Sequence, residues 1–241
     1  MSLNEILEHR RAIRHFDENK PIDTERVKEC LRMATLAPTS SNMQLWECYH
    51  VTDQAVKDKL TIALLEQKTA RTAQEIVVFV TRQDKYKEHA KANLDFELGN
   101  IKRNSPAETH ERRSKVLYQY YGKLMPFVYS RCFGGIGAFR KLLAQVIGMF
   151  RPIIRQVSEQ DMRVVTHKSC ALAVQTFMLG MAEAGYDTCP LEGFDSKLVK
   201  KALSLPYNCE INMIITCGIR VPDGVHGDRF RLPFDEVYHR I

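Results

Sequence analysis

Ser169-Cys170-Ala171-Leu172-Ala173-Val174-Gln175-Thr176-Phe177-Met178-Leu179-Gly180-Met181-Ala182 carries no charged side chain. A helix that is apolar all round is buried on all sides. The stretch therefore predicts a central helix, or one buried further by a subunit interface. Gly185 is placed to stop it. Ile76-Val77-Val78-Phe79-Val80-Thr81 is its counterpart in a sheet. This run is continuously apolar and β-branched, as in an interior strand covered on both faces. Together the two stretches predict an α+β core.

Working outward, Leu45 to Val51 and Ile211 to Ile219 read as further strands, with a helix at about Gln54 to Leu65. Ser2-Leu3-Asn4-Glu5 has capping-box form and opens a first helix that ends near Arg10-Arg11. Asp23 or Thr24 caps a second helix. Val27, Leu31 and Ala34 share one of its faces, and Pro38 sets its end. Asp195 caps another helix through Leu203, ended by Pro206. His167 reads as a structural histidine at the opening of the apolar helix. The tail GVHGDRFRLPFDEVYHRI lacks periodicity and reads as an extended arm.

Residues 84–118 are polar, basic and helical in look, with poor amphipathicity. Residues 124–157 are apolar but interrupted by Arg131, Arg140, Lys141 and Arg151. They predict helices packed on their own domain or on a dimer mate, with a lid or a membrane-touching surface as alternatives. Gly134-Gly135-Ile136-Gly137 reads as a turn. The organisation expected is a single domain over 1–241 with a helical insertion at about 84–160.

The chain has 241 residues, 44% hydrophobic and 27% charged, which excludes wholly disordered, collagen-like or coiled-coil architecture. A net charge of +6 is compatible with an anionic small molecule, with nucleic acid or with simple solubility. Seven cysteines without a CxxC pair fit reduced thiols and argue against a structural zinc site, so no metal ligands are expected. Cys189 reads as a packed thiol. No uncharged apolar run approaches the length of about 18 residues that spans a bilayer. The N-terminus shows no secretory signal, so the expected location is cytoplasmic, without stable membrane insertion. A GxGxxG after a strand, a GxxxxGK[ST] and an HExxH are all missing, as is any recognisable nucleic-acid motif.

Three polar clusters remain. They are Arg10-Arg11-Ala12-Ile13-Arg14, Ala37-Pro38-Thr39-Ser40-Ser41-Asn42-Met43-Gln44-Leu45-Trp46, and Arg229-Phe230-Arg231. Arginine clusters from opposite ends of a chain can converge on one anion, because guanidinium offers a planar fork of donors. Exposed arginine on a solvated face is the alternative.

RRAIRHFDENKPI resembles the opening signature of the FMN-dependent nitroreductase family. APTSSNMQLW is similar to that family's polar loop, Pro190-Leu191-Glu192-Gly193-Phe194-Asp195 to its P-I-E-G-F-D segment, and Arg229-Phe230-Arg231-Leu232-Pro233 to its C-terminal basic pair. The resemblance implies a mixed, mainly antiparallel sheet flanked by helices, with a C-terminal arm exchanged across a homodimer and two FMN sites at the interface. By the same resemblance, Arg10 and Arg14, with Arg229 and Arg231, hold the FMN phosphate and the polar edge of the ring. Arg11 and Ala12 lie within the same signature. Pro38, Thr39, Ser40 and Asn42 approach FMN from the other subunit. Glu192 and Gly193 lie beside the reactive flavin nitrogen, Pro190 and Leu191 belong to the same cofactor-binding segment, and Gln67 contacts the ring.

The implied activity passes a hydride from NAD(P)H through flavin to a nitro-aromatic, a quinone or a related small acceptor by ping-pong turnover. No side chain is assigned a catalytic role. Two other readings stay open: a specialised flavin enzyme such as a reductive dehalogenase or flavin-processing enzyme, and a basic module for nucleic acid or membrane surface. The chain departs from the family pattern at Ala12, where many members have Ser, and at Leu45, which replaces the usual Pro. The 84–160 segment is also longer than typical, which bears on substrate choice.

Overall fold

The computed structural model describes residues 2–241. Four strands form one sheet: β1 (Trp46–Val51), β2 (Glu75–Thr81), β3 (Asp187–Leu191) and β4 (Glu210–Gly218), in the order β1-β2-β4-β3. All three pairings are antiparallel. Among the described residues, the parallel component of the sheet is a single bridge, Ala12 to Thr188, at its β3 edge. The expected mixed, mainly antiparallel sheet is thus antiparallel in all its strands.

β2 alternates its side chains between two cores. Ile76, Val78 and Val80 pack with Ile13, Phe16, Leu60, Leu64, Leu191 and Val199 on one face. Val77 and Phe79 pack with Val27, Cys30, Leu31, Val174, Phe177 and Met181 on the other. Every residue of β2 is buried, which explains its lack of polar alternation. The first face is covered by α3 (Gln54–Ala63) and α10 (Ser196–Ala202). The second is covered by α2 (Thr24–Ala34) and the long α9 (Glu159–Glu183). Phe79 and Phe177 meet with ring centroids 5.6 Å apart, joining sheet to helix.

α9 begins earlier than its apolar half suggests. Ser158 caps it through a capping box with Asp161, so His167 lies inside the helix and does not open it. Its first half carries charge on the exposed side, which conceals the start in sequence. Gly185 takes a left-handed φ of 79° just past the end, as its lack of a side chain permits. The uncharged half is not enclosed on every side within one chain, since Leu172 is 48% exposed.

The remaining elements position the site. α1 (Leu3–His9) opens the chain, and α4 (Lys68–Arg71) precedes β2. Between β2 and α9 run α5 (Tyr86–Asn104), α6 (His110–Gln119), α7 (Met125–Tyr129) and α8 (Gly135–Ile147). Gly134 is the turn, at φ 88°, while Gly135 and Gly137 belong to α8 itself. The tail is exposed and holds one short helical turn, α11 (Phe234–Val237). No helix among the described residues is long and apolar enough to cross a membrane.

Candidate cofactor site

The segment after α1 is stitched into the β3 edge of the sheet. Ile13 N–H donates to the Thr188 carbonyl (3.2 Å) and Arg14 N–H to the Gly224 carbonyl (2.8 Å). The Thr69 hydroxyl donates to the Ile13 carbonyl at 2.9 Å and sits 2.8 Å from the Thr216 hydroxyl. Buried Ile13 and Phe16 anchor this segment in the core, while Ala12 and Arg14 face out. Ile13 and Phe16 are therefore the anchors of the signature, and Arg14 is presented.

Basic side chains from both ends of the chain converge here. The Arg10 guanidinium is held below its ordinary pKa by burial and by the nearby charges of Arg229, Arg231 and Arg11. Like charges repel and raise the free energy of the chain alone; an anion among them relieves both burial and repulsion. Arg229 donates to the carbonyls of Leu7 (3.1 Å), Glu8 (2.8 Å) and Arg10 (2.9 Å), covering the carbonyl-rich end of α1. Arg11 donates to the Gly227 carbonyl at 2.8 Å. Arg220 binds Asp187 of β3 and donates to the His9 carbonyl at 2.8 Å, tying the end of α1 to the sheet. Arg231 bonds only the neighbouring Phe230 carbonyl among the described residues.

Beside this cluster Arg14, His15, Gln67, Lys68, Thr69, Asp223 and His226 line a cleft of about 470 Å³. Gln67 Nε2 donates to the Gly193 carbonyl at 3.0 Å, linking the cleft to the segment after β3. Pro190 and Leu191 are the last residues of β3, paired with Ile215 and Ile214 of β4. Proline is tolerated there because β3 is an edge strand. Leu191 is core, whereas Glu192 and Gly193 are exposed beyond the strand end. Cys189 is buried, and burial pushes its thiol pKa up, so it is a packed thiol.

His15, Lys68, Thr69, Asp223 and His226 were not singled out in the sequence. Lys68 stands next to Gln67, the one local signal that could have found it. The His15 Nδ1 is buried without a hydrogen-bond partner among the described residues.

Pro38, Thr39, Ser40 and Asn42 lie in a different neighbourhood. Their hydrogen bonds run to α9, α5 and the loop itself, and none reaches the arginines among the described residues. Ser40 N–H donates to Ser169 Oγ (3.2 Å), Gln44 N–H to Thr39 Oγ1 (3.1 Å), and Asn42 Nδ2 to Asn93 Oδ1 (3.0 Å). Pro38 is exposed beyond α2. Ser41, Asn42 and Gln44 all adopt positive φ, between 50° and 52°. Such a run outside glycine stores strain and is characteristic of functional loops. Ser41 also meets the Tyr120 hydroxyl at 2.8 Å, where a π-helical turn spans Tyr120–Leu124.

A second cavity of about 580 Å³ opens from Ser40 and Ser41 toward α7, α8 and α9. Its walls are chiefly apolar, among them Leu124, Met125, Val128, Ile147 and Val157. No group of three or more His, Cys, Asp or Glu side chains is placed to hold a metal ion among the described residues.

The donor-rich cleft fits the anionic groups of FMN. Arg14, Lys68, Gln67 and the arginine cluster offer many N–H donors, and Asp223 is the one carboxylate lining the cleft.

The same fold recurs in known proteins. The chain is 23% identical over 231 residues to MhqN of Bacillus subtilis, whose name assigns it provisionally to the NAD(P)H nitroreductases; the match covers 96% of this chain and 95% of that one. YdfN of Bacillus subtilis, whose title likewise names it provisionally a nitroreductase, superposes with a TM-score of 0.72 at 22% identity, over 99% of this chain and 98% of that one. A protein of Exiguobacterium sibiricum, provisionally named a nitroreductase and solved in complex with FMN, superposes with a TM-score of 0.67 at 21% identity, over 100% and 98%. A profile described as "Nitroreductase family" matches residues 7–219, from the end of α1 to just past β4. The chain belongs to the nitroreductase family.

Proposed function

We propose that this chain is an FMN-dependent oxidoreductase that takes a hydride from NAD(P)H and passes it to a small acceptor in two half-reactions sharing one flavin face. The observation that carries this reading is the convergence of Arg10, Arg11, Arg229 and Arg231, from both ends of the chain, in one partly buried cationic cluster. Bound FMN would supply the hydride-accepting and hydride-donating ring; the protein's part is placement and field.

Each group then has a physical task. The arginine cluster neutralises a phosphate dianion, relieving its own repulsion. Arg14 and Lys68 present fixed positive charge, which favours the anionic reduced form of a ring whose pyrimidine edge faces them. Gln67, tied to Gly193, holds the turn after β3 in register with the cleft. Glu192 and Gly193 lie just beyond the strand end, where backbone groups can face a ring nitrogen without titrating.

The loop Pro38–Asn42 is separate from this cluster within one chain. Its part in the reading is to complete the cleft of a second copy in a homodimer. The exposed tail, with Phe230, Leu232 and Phe234 open to solvent, supports an arm laid over that partner. The apolar cavity behind Ser40 and Ser41 supports an acceptor with an aromatic or aliphatic body, such as a quinone or a nitro-aromatic. A cytoplasmic setting completes the reading, supported by seven cysteines without paired spacing.

The test is spectroscopic. Purified protein should show the visible absorption of bound FMN and should bleach on anaerobic addition of NADH or NADPH. A colourless protein that neither retains added FMN nor oxidises reduced nicotinamide would overturn the reading.

A further inference from the structure

α8 is amphipathic the wrong way round. Its buried residues are Gly137, Arg140 and Ala144. Its exposed face carries Phe139, Leu142, Leu143 and Val146, at i, i+3, i+4 and i+7, a continuous apolar stripe on the solvent side. Met149, Phe150 and Ile154 extend it past the helix end, and Phe133 precedes it, all strongly exposed; Leu142 is 65% exposed and Phe150 83%. Clusters of this kind on a soluble surface mark an interaction site.

The helix is not free to roll over and bury this face. Arg140, 3% exposed, donates through Nε to the Val157 carbonyl (2.7 Å) and through Nη1 to those of Phe127 (2.7 Å) and Ser130 (3.0 Å). The Glu159 carboxylate accepts the N–H groups of Cys132 (3.0 Å), Gly134 (3.0 Å) and Gly137 (3.3 Å), holding the N-terminus of α8 against α9. A Cβ on Gly137 would come within 2.6 Å of the Glu159 backbone nitrogen, so only glycine allows this approach. Polar anchors inside and apolar side chains outside are a fixed arrangement.

Charge identifies the occupant. Residues 131–158 contain no acidic residue. Lys141, Arg151 and Arg155 stand exposed in this segment around the stripe; Arg155 donates to Gln145 and to the Gly148 carbonyl, while the side chains of Lys141 and Arg151 make no hydrogen bond or ion pair among the described residues. A second copy docked on the same face would set these cations against their own equivalents. Nucleic acid has no use for an aliphatic row at the centre of the contact. An anionic bilayer satisfies both features: apolar side chains enter the headgroup and acyl boundary while Lys and Arg reach the lipid phosphates.

We propose that the face formed by Phe139, Leu142, Val146, Met149, Phe150 and Ile154 docks this protein on the surface of an anionic lipid bilayer. The face runs along α8 and past its end, away from the arginine cluster; Ile154 and Arg151 also border the apolar cavity assigned above to the acceptor. Docking is interfacial, consistent with the absence of a spanning helix among the described residues.

The test is co-sedimentation of the full chain with vesicles of phosphatidylcholine, with and without phosphatidylglycerol. Wild type should partition onto the phosphatidylglycerol vesicles, less so with added salt. Leu142→Ser/Phe150→Ser should lower that partition by about tenfold or more, from the apolar area withdrawn from the interface. Lys141→Glu/Arg151→Glu should lower it about tenfold on anionic vesicles only. Thermal melts matching wild type would show that both variants fold. Because the readout is vesicle binding, it is independent of flavin content.

Failure of wild type to bind either vesicle would overturn the proposal. So would partition unchanged in well-folded Leu142→Ser/Phe150→Ser. A higher oligomer abolished by that variant, without vesicle binding, would assign the face to a second copy instead, and preferential binding of duplex DNA or RNA would assign it to nucleic acid.

Discussion

Arg229 and Arg231 are near neighbours in sequence but are held differently. Arg229 is spent on three carbonyls at the end of α1, whereas Arg231 bonds only the adjacent Phe230 carbonyl among the described residues. Arg231→Ala should therefore weaken FMN retention by about tenfold or more, the scale of a lost charge-assisted contact, with an unchanged apoprotein melting temperature. Arg229→Ala should lower FMN retention and also the apoprotein Tm by about 2–4 °C, as expected for about 1 kcal/mol in a chain of this size. Flavin titration beside calorimetry separates the two. FMN affinity unchanged from wild type in both variants would remove the tail from the site. The pairing of Arg229 with α1 was not legible in the sequence, because it joins residues more than two hundred positions apart.

Among elements, the junction of α9, β4 and the loop before α8 is set by one carboxylate. Glu210 opens β4 and takes contacts from His167 and Arg163 of α9 and from Arg131. These partners, His167 foremost, push its pKa down from 4.5 to about 2. A folded-state pKa below the unfolded one means the unfolded chain binds more protons. The stabilisation is therefore fully present above about pH 4.5 and is lost as pH falls through about 2. Glu210→Gln should be less stable than wild type at pH 7 and should show a shallower loss of stability on acidification, measured by urea unfolding at a series of pH values. Parallel acid limbs for the two proteins would refute this role. His167 thus serves as the structural histidine expected, within α9 and not at its start.

At the scale of the whole molecule, one chain holds the arginine cluster and the strained polar loop in separate neighbourhoods. The exposed side of α9, with Val164 and Leu172, offers the apolar surface on which a second copy could bring them together. The proposed dimer makes a joint prediction. Light scattering should give twice the chain mass of 27.8 kDa. Leu172→Asp, placing a charge in the centre of that surface, should shift the protein toward monomer and lower FMN occupancy in proportion. A wild-type monomer that retains full FMN would refute the coupling.

Some of this was settled by local chemistry. The β2 run, the helix stop at Gly185 and the caps at Ser2, Asp23 and Asp195 depend on short-range sterics, hydrogen bonding and apolar content, which a sequence carries openly. Other features depend on which segments meet. β3 is a short edge strand containing Pro190, so its pattern resembles a loop until Asp187 to Leu191 pair with β4. Lys68 becomes a site residue only when α4 meets the segment after α1. The outward apolar face of α8 is decided by Arg140 and Glu159, whose partners come from neighbouring segments. A helical stripe records that one face is apolar; only the tertiary contacts decide whether that face turns inward or out.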